Sequence, residues 1–485
     1  MRFLFLLLAA GALLPAPAGA AKRPNVLFIV CDDLNTHLAF DGYGPIQTPH
    51  LDKLAKRALT FERAYCQYPV CAPSRTSFLT GRYPEATGVL NNRTNVLQLH
   101  PDLATIPRHF RRNGYWTGGV GKIFHGKAGT DATLWNEFHK FENEHNPVYR
   151  DAERAFEKKF GSIHEPENVR KWKQRQRELR QEAGGQNPPG KGPTRMTDAE
   201  HKDGKNVRQI LKWLDDRPHG DQPFFLACGI HKPHVPFWAP QKYFDRYPLD
   251  KIDPPQVPPA DWDDIPPLAM NKRFEAFGFA LDSSRPELAR EYIQAYHACI
   301  SFVDAQLGLL FDALDAKMLW DDTVVIFFSD HGYHLGEHFM WGKVTLFEEC
   351  ARVPLVVHAP GLTTPGARTA ALVELVDLFP TLNELCGLPD PGGLQGRSLV
   401  PVLKDPALPG KPAAYTVVTR GQSLGRSIRT RDQRYAEWGG PSARELYNLK
   451  RDPREHINLA PDPDRYLEIE KLHELLRSAT AHAKD

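Results

Sequence analysis

Two short apolar runs, each followed at once by acidic or imidazole side chains, constrain the fold of this chain more than any other feature. Residues 24–31 (PNVLFIVC) precede the pair Asp32–Asp33, and residues 323–329 (TVVIFFS) precede the pair Asp330–His331. Continuous β-branched runs of this length predict strands that are buried on both faces, as in a parallel sheet. Two further runs of the same character predict strands at 223–229 and 354–358.

Helical patterns separate these runs. They cover residues 50–58, 102–113, 204–216, 288–316 and 374–386. Strands that alternate with helices predict an α/β fold, with a large, mixed but mostly parallel sheet flanked by helices. Ligands of such folds bind beyond the carboxyl ends of the strands. The two strand-end pairs therefore mark the expected active site.

Length and charge limit the kinds of partner. The chain has 485 residues and a formal net charge of only +2 at pH 7. This length accommodates a large α/β core and a second, smaller domain. A charge so close to zero gives no global field that would attract nucleic acid. No nucleic-acid partner is predicted, and any anion must be recognised by a local cluster.

The N-terminal segment has the pattern of a secretory signal peptide at 1–20. Arg2 precedes an apolar run from Phe3 to Leu14, and small residues at Ala18 and Ala20 predict cleavage after Ala20. The run is shorter than the about 20 apolar residues that span a membrane. The segment predicts export to the periplasm or the extracellular space, with no membrane insertion.

Residues 21–394 are predicted to form the catalytic domain, with a charged insertion at 136–203. Its Arg- and Lys-rich part predicts a solvated helix near 165–183, and both a merely solvated insertion and a substrate-binding element stay open. Short strand-like pieces and a terminal helix near 464–482 predict a smaller antiparallel α+β subdomain at 395–485.

The seven cysteines do not form a metal-binding pattern. They are Cys31, Cys66, Cys71, Cys228, Cys299, Cys350 and Cys386. No C-x-x-C pair occurs, so a zinc ribbon is not predicted, and an odd count leaves at least one cysteine unpaired or modified. Most of them stand in apolar surroundings, where buried thiols are expected.

Cys71 opens the string CAPSRTSFLTGR, residues 71–82. Pro73 and Ser74 would suit the first turn of a helix in any protein. The whole string resembles the signature of type I sulfatases, C-x-P-S-R-x-x-x-L-T-G-R, whose cysteine is oxidised to formylglycine, an aldehyde, before folding. The resemblance implies the alkaline-phosphatase-like sulfatase fold, Cys71 as the precursor of the nucleophile, and a formylglycine-generating maturation enzyme as a partner.

An aldehyde suits this reaction because its hydrate offers two hydroxyls on one carbon. One hydroxyl attacks sulfur and forms a covalent sulfate ester, as in other nucleophilic catalysis. A base then deprotonates the second hydroxyl, and the hemiacetal collapses with release of sulfate. A serine in place of the hydrate would perform only the first half.

The resemblance also makes the strand-end pairs metal ligands. In sulfatases the corresponding positions bind calcium together with the formylglycine oxygen. The implied ligands of one Ca²⁺ are Asp32, Asp33, Cys71, Asp330 and His331. Hard oxygen ligands favour calcium over zinc.

The string HGYHLGEH, residues 331–338, offers a competing interpretation as a zinc protease. His334 and His338 are four residues apart and would share one face of a helix. The required H-E-x-x-H pattern is absent, however, and Gly332 and Gly336 favour a loop. The zinc interpretation is therefore disfavoured.

Five further residues complete the sulfatase site by resemblance. Arg75, from the signature, braces the formylglycine. Lys122 and Lys343 bind sulfate oxygens, and Lys343 also stabilises the leaving oxygen. His125, which follows a predicted glycine-rich turn together with Lys122, is the base that collapses the hemiacetal, and His231 is the acid for the leaving alcohol. Together the cationic groups offset the charge of the transition state.

Three further motifs indicate which branch of the sulfatases this chain resembles. They are G-K-x-F-H at 121–125, H-K-P-H-x-P-F at 231–237 and S-D-H-G-x-x-L-G-E-H at 329–338. Together they resemble the iduronate-2-sulfatase branch, which is also similar to bacterial sulfatases acting on algal polysaccharides. The implied substrate is a sulfated sugar or uronic acid, from a glycosaminoglycan or an algal polysaccharide. His234, Tyr333 and Trp341 are candidate rim residues, although core packing also explains the two aromatic side chains.

Two other functions stay open from the sequence. Relatives on this fold use the same aldehyde to hydrolyse phosphonate or phosphate esters, which makes such a hydrolase the first alternative. If Cys71 stays a thiol, the protein is instead a non-catalytic binder of sulfated glycans.

Overall fold

The computed structural model describes residues 23–142, 147–163, 165–182, 190–271 and 286–484. The predicted signal peptide at 1–20 lies outside these residues and stays a prediction. Sixteen strands are assigned within them: Asn25–Asp32 (β1), Leu59–Tyr65 (β2), Trp116–Gly121 (β3), Glu137–His139 (β4), Lys191–Thr194 (β5), Phe224–Pro233 (β6), Phe237–Pro240 (β7), Thr323–Ser329 (β8), His334–Leu335 (β9), Trp341–Gly342 (β10), Arg352–His358 (β11), Arg368–Glu374 (β12), Ala414–Arg420 (β13), Ser423–Arg429 (β14), Gln433–Trp438 (β15) and Arg444–Asn448 (β16).

Helices fill most of the connections between these strands. They are Pro49–Arg57 (α1), Cys71–Thr80 (α2), Pro84–Thr87 (α3), Val96–Leu99 (α4), Ile106–Arg112 (α5), Pro147–Phe160 (α6), Pro166–Glu182 (α7), Lys202–Asp216 (α8), Gln241–Phe244 (α9), Pro286–Ala316 (α10), Glu348–Ala351 (α11), Leu378–Leu385 (α12), Val400–Lys404 (α13) and Tyr466–His482 (α14). Short 3₁₀ turns add to them. The predicted solvated helix near 165–183 is α7, and the predicted terminal helix is α14.

The main sheet has eight strands in the order β12-β2-β11-β8-β1-β6-β3-β4. Strand β11 runs antiparallel to both of its neighbours, β8 and β2, and the other neighbouring pairs are parallel. The predicted fold class, a mixed and mostly parallel sheet flanked by helices, is confirmed. Strand β1 lies at the centre, between β8 and β6.

Strand β1 shows why its sequence is apolar at every position. Leu27, Ile29 and Cys31 belong to the hydrophobic core on one face of the sheet. Val26 and Phe28, which point the opposite way, belong to the core on the other face. A strand covered by helices on both faces has no solvent side, so the usual alternation of polar and apolar residues is lost.

Helix α10 is the longest helix of the described chain and packs beneath the sheet. Among the described residues it is also the one helix that is long and apolar enough to cross a membrane. Of its most apolar stretch, 78% is buried inside the protein. Tyr292 and Tyr296 on this helix are fully buried. The apolar composition of α10 is therefore explained by its place in the core.

The C-terminal part forms its own sheet. Strands β13, β14, β15 and β16 follow one another in an antiparallel meander. Helix α14 packs on it through Ile469, Leu472 and Leu476, which join a third hydrophobic cluster. The predicted boundary at 394/395 stays a prediction, and the meander itself begins at Ala414.

The glycine-rich segment before Lys122 forms strand β3, not the turn that the sequence predicts. The sequence WTGGVG disfavours a strand because glycine has no side chain to pack. Here aromatic rings take the place of those side chains. A Cβ added to Gly118 would lie 2.9 Å from Trp213, and one added to Gly119 would lie 2.9 Å from Trp135.

Candidate active site

Four neighbouring strands deliver polar side chains to one edge of the main sheet. Asp32 ends β1, Asp330 follows β8, His231 lies near the end of β6, and Lys122 follows β3. These strands are parallel in the order β8-β1-β6-β3, so their carboxyl ends meet at the same edge. The predicted location of the site, beyond the carboxyl ends of the strands, matches this arrangement.

Cys71 lies in the middle of this edge, at the first residue of α2, and is fully buried. Its Sγ lies 3.3 Å from Oδ1 of Asp32 and 3.4 Å from the Nζ atoms of both Lys122 and Lys343. Burial and the Asp32 carboxylate oppose ionisation of the thiol. The two lysines and His125 outweigh them and hold the pKa of Cys71 well below its usual value.

The local sequence explains how Cys71 is held. Pro73 stands in the first turn of α2, and Gly81 ends the helix with a left-handed φ of 66°, as is common at helix C-termini. Ser74 donates from Oγ to the backbone oxygen of Asp330 at 2.5 Å. The first turn of α2 is therefore tied directly to the end of β8.

Acidic and imidazole groups surround Cys71 as a metal site would require. Ligand atoms of Asp32, Asp33, Cys71 and His331 all lie within 4.8 Å of one another. Oδ2 of Asp33 and Nε2 of His331 are buried and have no hydrogen-bond partner. Nδ1 of His331 lies 3.0 Å from the backbone oxygen of Gly332, and Nε2 lies 3.4 Å from Oδ1 of Asp33. These residues fit a bound cation, because a cation would satisfy the buried atoms that now lack a partner.

The ionisable groups of this cluster shift one another's pKa values. Burial opposes ionisation of Asp32, but Lys122, His234 and Arg75 outweigh it and hold the pKa of this carboxyl well below its usual range. Burial raises the pKa of Asp330 to about 7. Burial also disfavours the charged form of His331, yet the Asp330 carboxylate outweighs it and raises the pKa of the imidazole to about 9.

Arg75 contacts the carboxylates rather than the Cys71 side chain that it is predicted to brace. Its Nε donates to Oδ2 of Asp330 at 2.8 Å, and Nη2 lies 3.4 Å from Oδ1 of Asp32. Nη1 donates to the backbone oxygens of Lys122 and Ile123. Arg75 therefore holds the carboxylates of Asp32 and Asp330 and the Lys122 loop together.

The two lysines approach Cys71 from opposite parts of the chain. Lys122 pairs with Oδ2 of Asp32, and Lys343 lies 2.5 Å from Oδ1 of Asp33. Burial disfavours the ammonium of Lys343, but Asp33 and Cys71 outweigh it and hold its pKa well above the usual value. Both side chains are therefore charged and aimed at the Sγ atom.

The predicted histidines line the open side of the site. His231 and His234 are half-buried, with ring centroids 4.9 Å apart. Nδ1 of His231 lies 3.9 Å from Asp32, and Nε2 of His234 lies 3.9 Å from Asp33. Burial, reinforced by His234 and Lys122, holds the pKa of His231 well below its usual value. Nδ1 of His125 is buried and has no hydrogen-bond partner.

Comparison with protein families decides the assignment. Residues 24–388 match the family described as Sulfatase, which is most of the chain. The chain belongs to the sulfatase family. Residues 336–482 also match the family described as N-sulphoglucosamine sulphohydrolase, C-terminal. The second match spans the antiparallel meander and α14.

Individual relatives agree with this assignment. A protein named sulfatase from Formosa agariphila is 32% identical over 478 residues, covering 95% of this chain and 87% of the relative. The iduronate 2-sulfatase of Homo sapiens is 31% identical, covering 90% of this chain and 91% of the relative. The crystal structure of a phosphonate monoester hydrolase of Agrobacterium radiobacter superposes with a TM-score of 0.76 at 25% identity, covering 95% of this chain and 96% of that one. The predicted resemblance to sulfatases, including iduronate-2-sulfatase, is confirmed.

The structure does not place the two aromatic candidates at the rim. Tyr333 has no exposed surface, and its ring packs against Tyr296 and Phe237. Trp341 is 7% exposed and packs against Tyr292. Both predictions as rim residues are wrong, because each ring fills the core beneath the site. Of the three candidates, His234 alone is partly exposed at the site.

Asp203 is a residue of the site that sequence reasoning missed. It lies in the first turn of α8, and its two carboxylate oxygens accept the backbone N–H groups of His231 and Lys232, each at 2.8 Å. Asp203 therefore positions the end of β6, which carries His231. No sequence motif marks it, since the contacts that position β6 are made to main-chain groups.

The backbone of Asp33 is a second missed feature. Its φ is +65°, a region that residues other than glycine rarely adopt. Tyr296 holds this conformation: its hydroxyl donates to the backbone oxygen of Asp33 at 2.6 Å and accepts from the backbone N–H of Asn35 at 2.9 Å. Unusual backbone held by surrounding groups is typical of functional sites.

Two glycines allow the Lys122 loop to cross β6. A Cβ on Gly229 would lie 2.3 Å from the backbone carbon of Lys122. Gly121 has a φ of +68°, and its Cβ would lie 2.1 Å from the backbone oxygen of Gly229. Only glycine permits this approach, which brings Lys122 to Cys71.

Proposed function

We propose that the protein is an exported sulfatase that hydrolyses sulfate monoesters of a sulfated sugar or uronic acid, with a formylglycine made from Cys71 and one calcium ion. One observation carries the proposal. Sγ of Cys71 stands where the formylglycine oxygen would lie, and it is 3.4 Å from two lysine ammonium groups and 3.3 Å from a carboxylate. A nucleophile that attacks a sulfate ester requires such a cationic surrounding.

The proposed cofactors fit the residues that surround this position. Asp32, Asp33, Asp330 and His331 would hold the calcium ion, which would offset the charge of the nucleophile and of the sulfate. The hydrated aldehyde would supply two hydroxyls on one carbon, one to attack sulfur and one to permit release of sulfate. Oδ2 of Asp33 and Nε2 of His331, buried without partners, support this assignment.

The chain's own side chains would then bind the substrate and move protons. Lys122 and Lys343 would each donate to sulfate oxygens, and Lys343 would also offset charge on the leaving oxygen. Burial keeps His231 neutral before substrate arrives. The negative charge of a bound sulfate ester favours its protonated form, as donation to the leaving alcohol requires. His125 would take the proton that must leave for sulfate release.

Burial of Cys71 has a consequence for maturation. The side chain has no exposed surface in the folded protein. A maturation enzyme that replaces its thiol by an aldehyde must therefore act before the chain folds. The signal pattern at 1–20 supports export after this modification, to the periplasm or the extracellular space.

The substrate class rests on the relatives and on the motif spacing. The match to iduronate 2-sulfatase at 31% identity supports a sulfated uronic acid or a related sugar. The Formosa agariphila relative supports the sulfatase reaction without naming a sugar. The position of the sulfate on the sugar is left to experiment.

Release of inorganic sulfate from a panel of sulfated glycan oligosaccharides tests the proposal. Purified protein, coexpressed with a maturation enzyme, should release sulfate with calcium present and lose activity when a chelator removes it. Cys71→Ala should abolish release. Cys66→Ala is the matched control, because Cys66 is also buried and its thiol donates to the backbone oxygen of Cys350 rather than to a group of the site, so this variant should stay active. Full activity of Cys71→Ala would refute the mechanism.

A phosphonate or phosphate ester hydrolase is the second candidate. The superposition on a phosphonate monoester hydrolase with a TM-score of 0.76 favours it. Comparing kcat/KM for an aryl sulfate, an aryl phosphate and an aryl phosphonate monoester separates the two candidates. The sulfatase proposal expects the highest value for the sulfate, and a higher value for either phosphorus ester would favour the alternative.

A further inference from the structure

His338 is a fully buried histidine with one nitrogen free of hydrogen bonds. Its Nδ1 lies 2.9 Å from Oδ2 of Asp261. When Nδ1–H donates to this carboxylate and the ring is neutral, Nε2 carries the lone pair that a metal ion would use. Nε2 is buried and has no hydrogen-bond partner. A carboxylate on one ring nitrogen and a free lone pair on the other is the arrangement found in most histidines that bind metal ions.

The free nitrogen of His338 faces two carboxylates. One ring nitrogen of His338 and one oxygen each of Glu349 and Glu455 lie within 4.8 Å of one another. Oε2 of Glu349 is itself inaccessible and has no hydrogen-bond partner. Two independent polar atoms, a nitrogen and an oxygen, are therefore buried without partners and converge on the same point.

The charges around this point favour a cation. Burial, reinforced by Glu337 and Glu455 and opposed by His338, raises the pKa of Glu349 to about 8. The nearest buried guanidinium, Arg434, is already paired with Glu445 and Glu455. A bound cation would relieve the mutual repulsion of these carboxylates.

We propose that His338, Glu349 and Glu455 form a second cation site, distinct from the one at Cys71. It shares no residue with the calcium ligands proposed above. One imidazole nitrogen with carboxylate oxygens suits zinc or a similar first-row transition metal better than calcium, which takes oxygen ligands. Asp261 is the outer carboxylate that orients His338, and it also accepts from Nδ1 of His456 at 2.6 Å.

The position of the site indicates a structural role. His338 lies in the segment between His331 and Lys343, which both belong to the catalytic site. Glu349 is the second residue of the short helix α11, and Glu455 follows the C-terminal meander. A cation here would join the loop that carries Lys343 to the C-terminal subdomain.

A cavity gives the ion a route from solvent. It has a volume of about 390 Å³, and its walls include Glu337, Glu349, Arg454 and His456. Glu349 is thus both a wall of this cavity and a proposed ligand. Solvent access is one of the requirements for a functional metal site.

Zinc binding to matched variants tests the proposal. Wild type, His338→Gln and Glu349→Gln would be stripped with a chelator, returned to millimolar calcium to fill the catalytic site, and titrated with zinc by calorimetry. We expect wild type to bind one more zinc equivalent than either variant, or to bind it at least about tenfold more tightly, the range seen when such ligand sets are disturbed. Zinc should raise the melting temperature of wild type more than that of the variants.

His473→Gln is the control. Nδ1 of His473 also pairs with a carboxylate, Glu437, at 2.6 Å, but among the described residues His473 belongs to no cluster that could hold a metal ion. It should bind zinc as wild type does. If His338→Gln fails to fold, Asp261→Asn is the substitute variant, because asparagine has nearly the volume of aspartate. It should weaken zinc binding, because the carboxylate that orients the His338 ring is lost. Equal zinc stoichiometry and affinity in wild type and in both ligand variants would overturn the proposal and leave His338 as a buried ion pair only.

Discussion

Nζ of Lys343 lies 2.5 Å from Oδ1 of Asp33, although the two residues are 310 positions apart in the sequence. Asp33 follows the central strand, whereas Lys343 lies beyond the small hairpin β9–β10. The pair brings the ammonium group to 3.4 Å from Sγ of Cys71. The fold thus joins a proposed metal ligand, a proposed sulfate-binding lysine and the proposed nucleophile position in one contact.

Replacing Lys343 by Met tests this contact. The side chain keeps its length and loses its charge, so kcat/KM for an aryl sulfate should fall by about 10²–10³-fold, as when a donor to a developing charge is removed. Lys242→Met is the control: Lys242 also pairs with an aspartate, but that aspartate is Asp198, outside the site, and the lysine side chain is 60% exposed. A decrease of similar size in both variants would argue against a specific role of Lys343.

Asp203→Asn tests whether the end of β6 is positioned by one carboxylate. An amide offers only one acceptor oxygen to the two backbone N–H groups of His231 and Lys232. Losing a charged hydrogen bond should lower the free energy of unfolding by about 2 kcal/mol. Because His231 would shift, kcat should decrease more than KM changes, and the pH profile of kcat should move. A loss of stability with unchanged kinetics would mean that Asp203 has a structural role only.

Gly229→Ala tests the close approach that places Lys122. The added Cβ would lie 2.3 Å from the backbone carbon of Lys122, so the loop must move. Overpacking of this kind typically costs about 1–3 kcal/mol, and sulfate release should decrease because Lys122 leaves Cys71. Gly44→Ala, where a Cβ would meet nothing within 4 Å, should change neither property. Chemical denaturation and sulfate release measure the two effects.

The buried side chain of His297 should make the free energy of unfolding decrease at acidic pH. It is buried, neither ring nitrogen has a hydrogen-bond partner, and burial lowers its pKa to about 3 from the unfolded value of 6.5. As pH falls below 6.5 the unfolded chain gains a proton that the native protein refuses until about pH 3. The free energy of unfolding should therefore fall by about 1.4 kcal/mol per pH unit in this window, and be fully retained above it.

His297→Phe should remove this contribution. The new ring would pack between Tyr43 and Tyr247, whose rings lie 5.5 and 5.4 Å from the imidazole. Urea denaturation between pH 7 and pH 4 should show a smaller loss of stability in the variant than in wild type, an interval that includes most of the window set by the pKa of His297. Parallel profiles for the two proteins would show that His297 takes up its proton at the same pH in the native and the unfolded state, and would contradict the lowered pKa.

The sequence alone predicts the central part of the fold well and its outer strands poorly. Strand β8 matches its predicted range of 323–329 residue for residue, because a strand buried on both faces is apolar throughout. Strand β3 was missed because its glycines disfavour strands, and they are explained by side chains that are distant in sequence, among them the rings of Trp135 and Trp213. The antiparallel direction of β11 depends on how the chain returns to the sheet, which its residues do not encode.

The sequence likewise predicts some residues of the site and misses others. Cys71, Asp32 and Lys343 were found because their chemistry stands in recognisable motifs, and the fold brings them together. Asp203 and Tyr296 were missed because they act on backbone groups, which leave no pattern in the sequence. Tyr333 and Trp341 were wrongly predicted as rim residues for a different reason: a position in or near a motif does not determine the direction in which an aromatic side chain points.

Mass spectrometry of the peptide that carries Cys71 tests the central claim most directly. Cleavage after Arg63 and Arg75 gives residues 64–75, which contain both Cys66 and Cys71. In protein that releases sulfate, we expect one residue of this peptide, Cys71, to carry an aldehyde with a lower mass, and Cys66 to stay a thiol as an internal control. Two unmodified thiols in a preparation that releases sulfate at full rate would contradict the account.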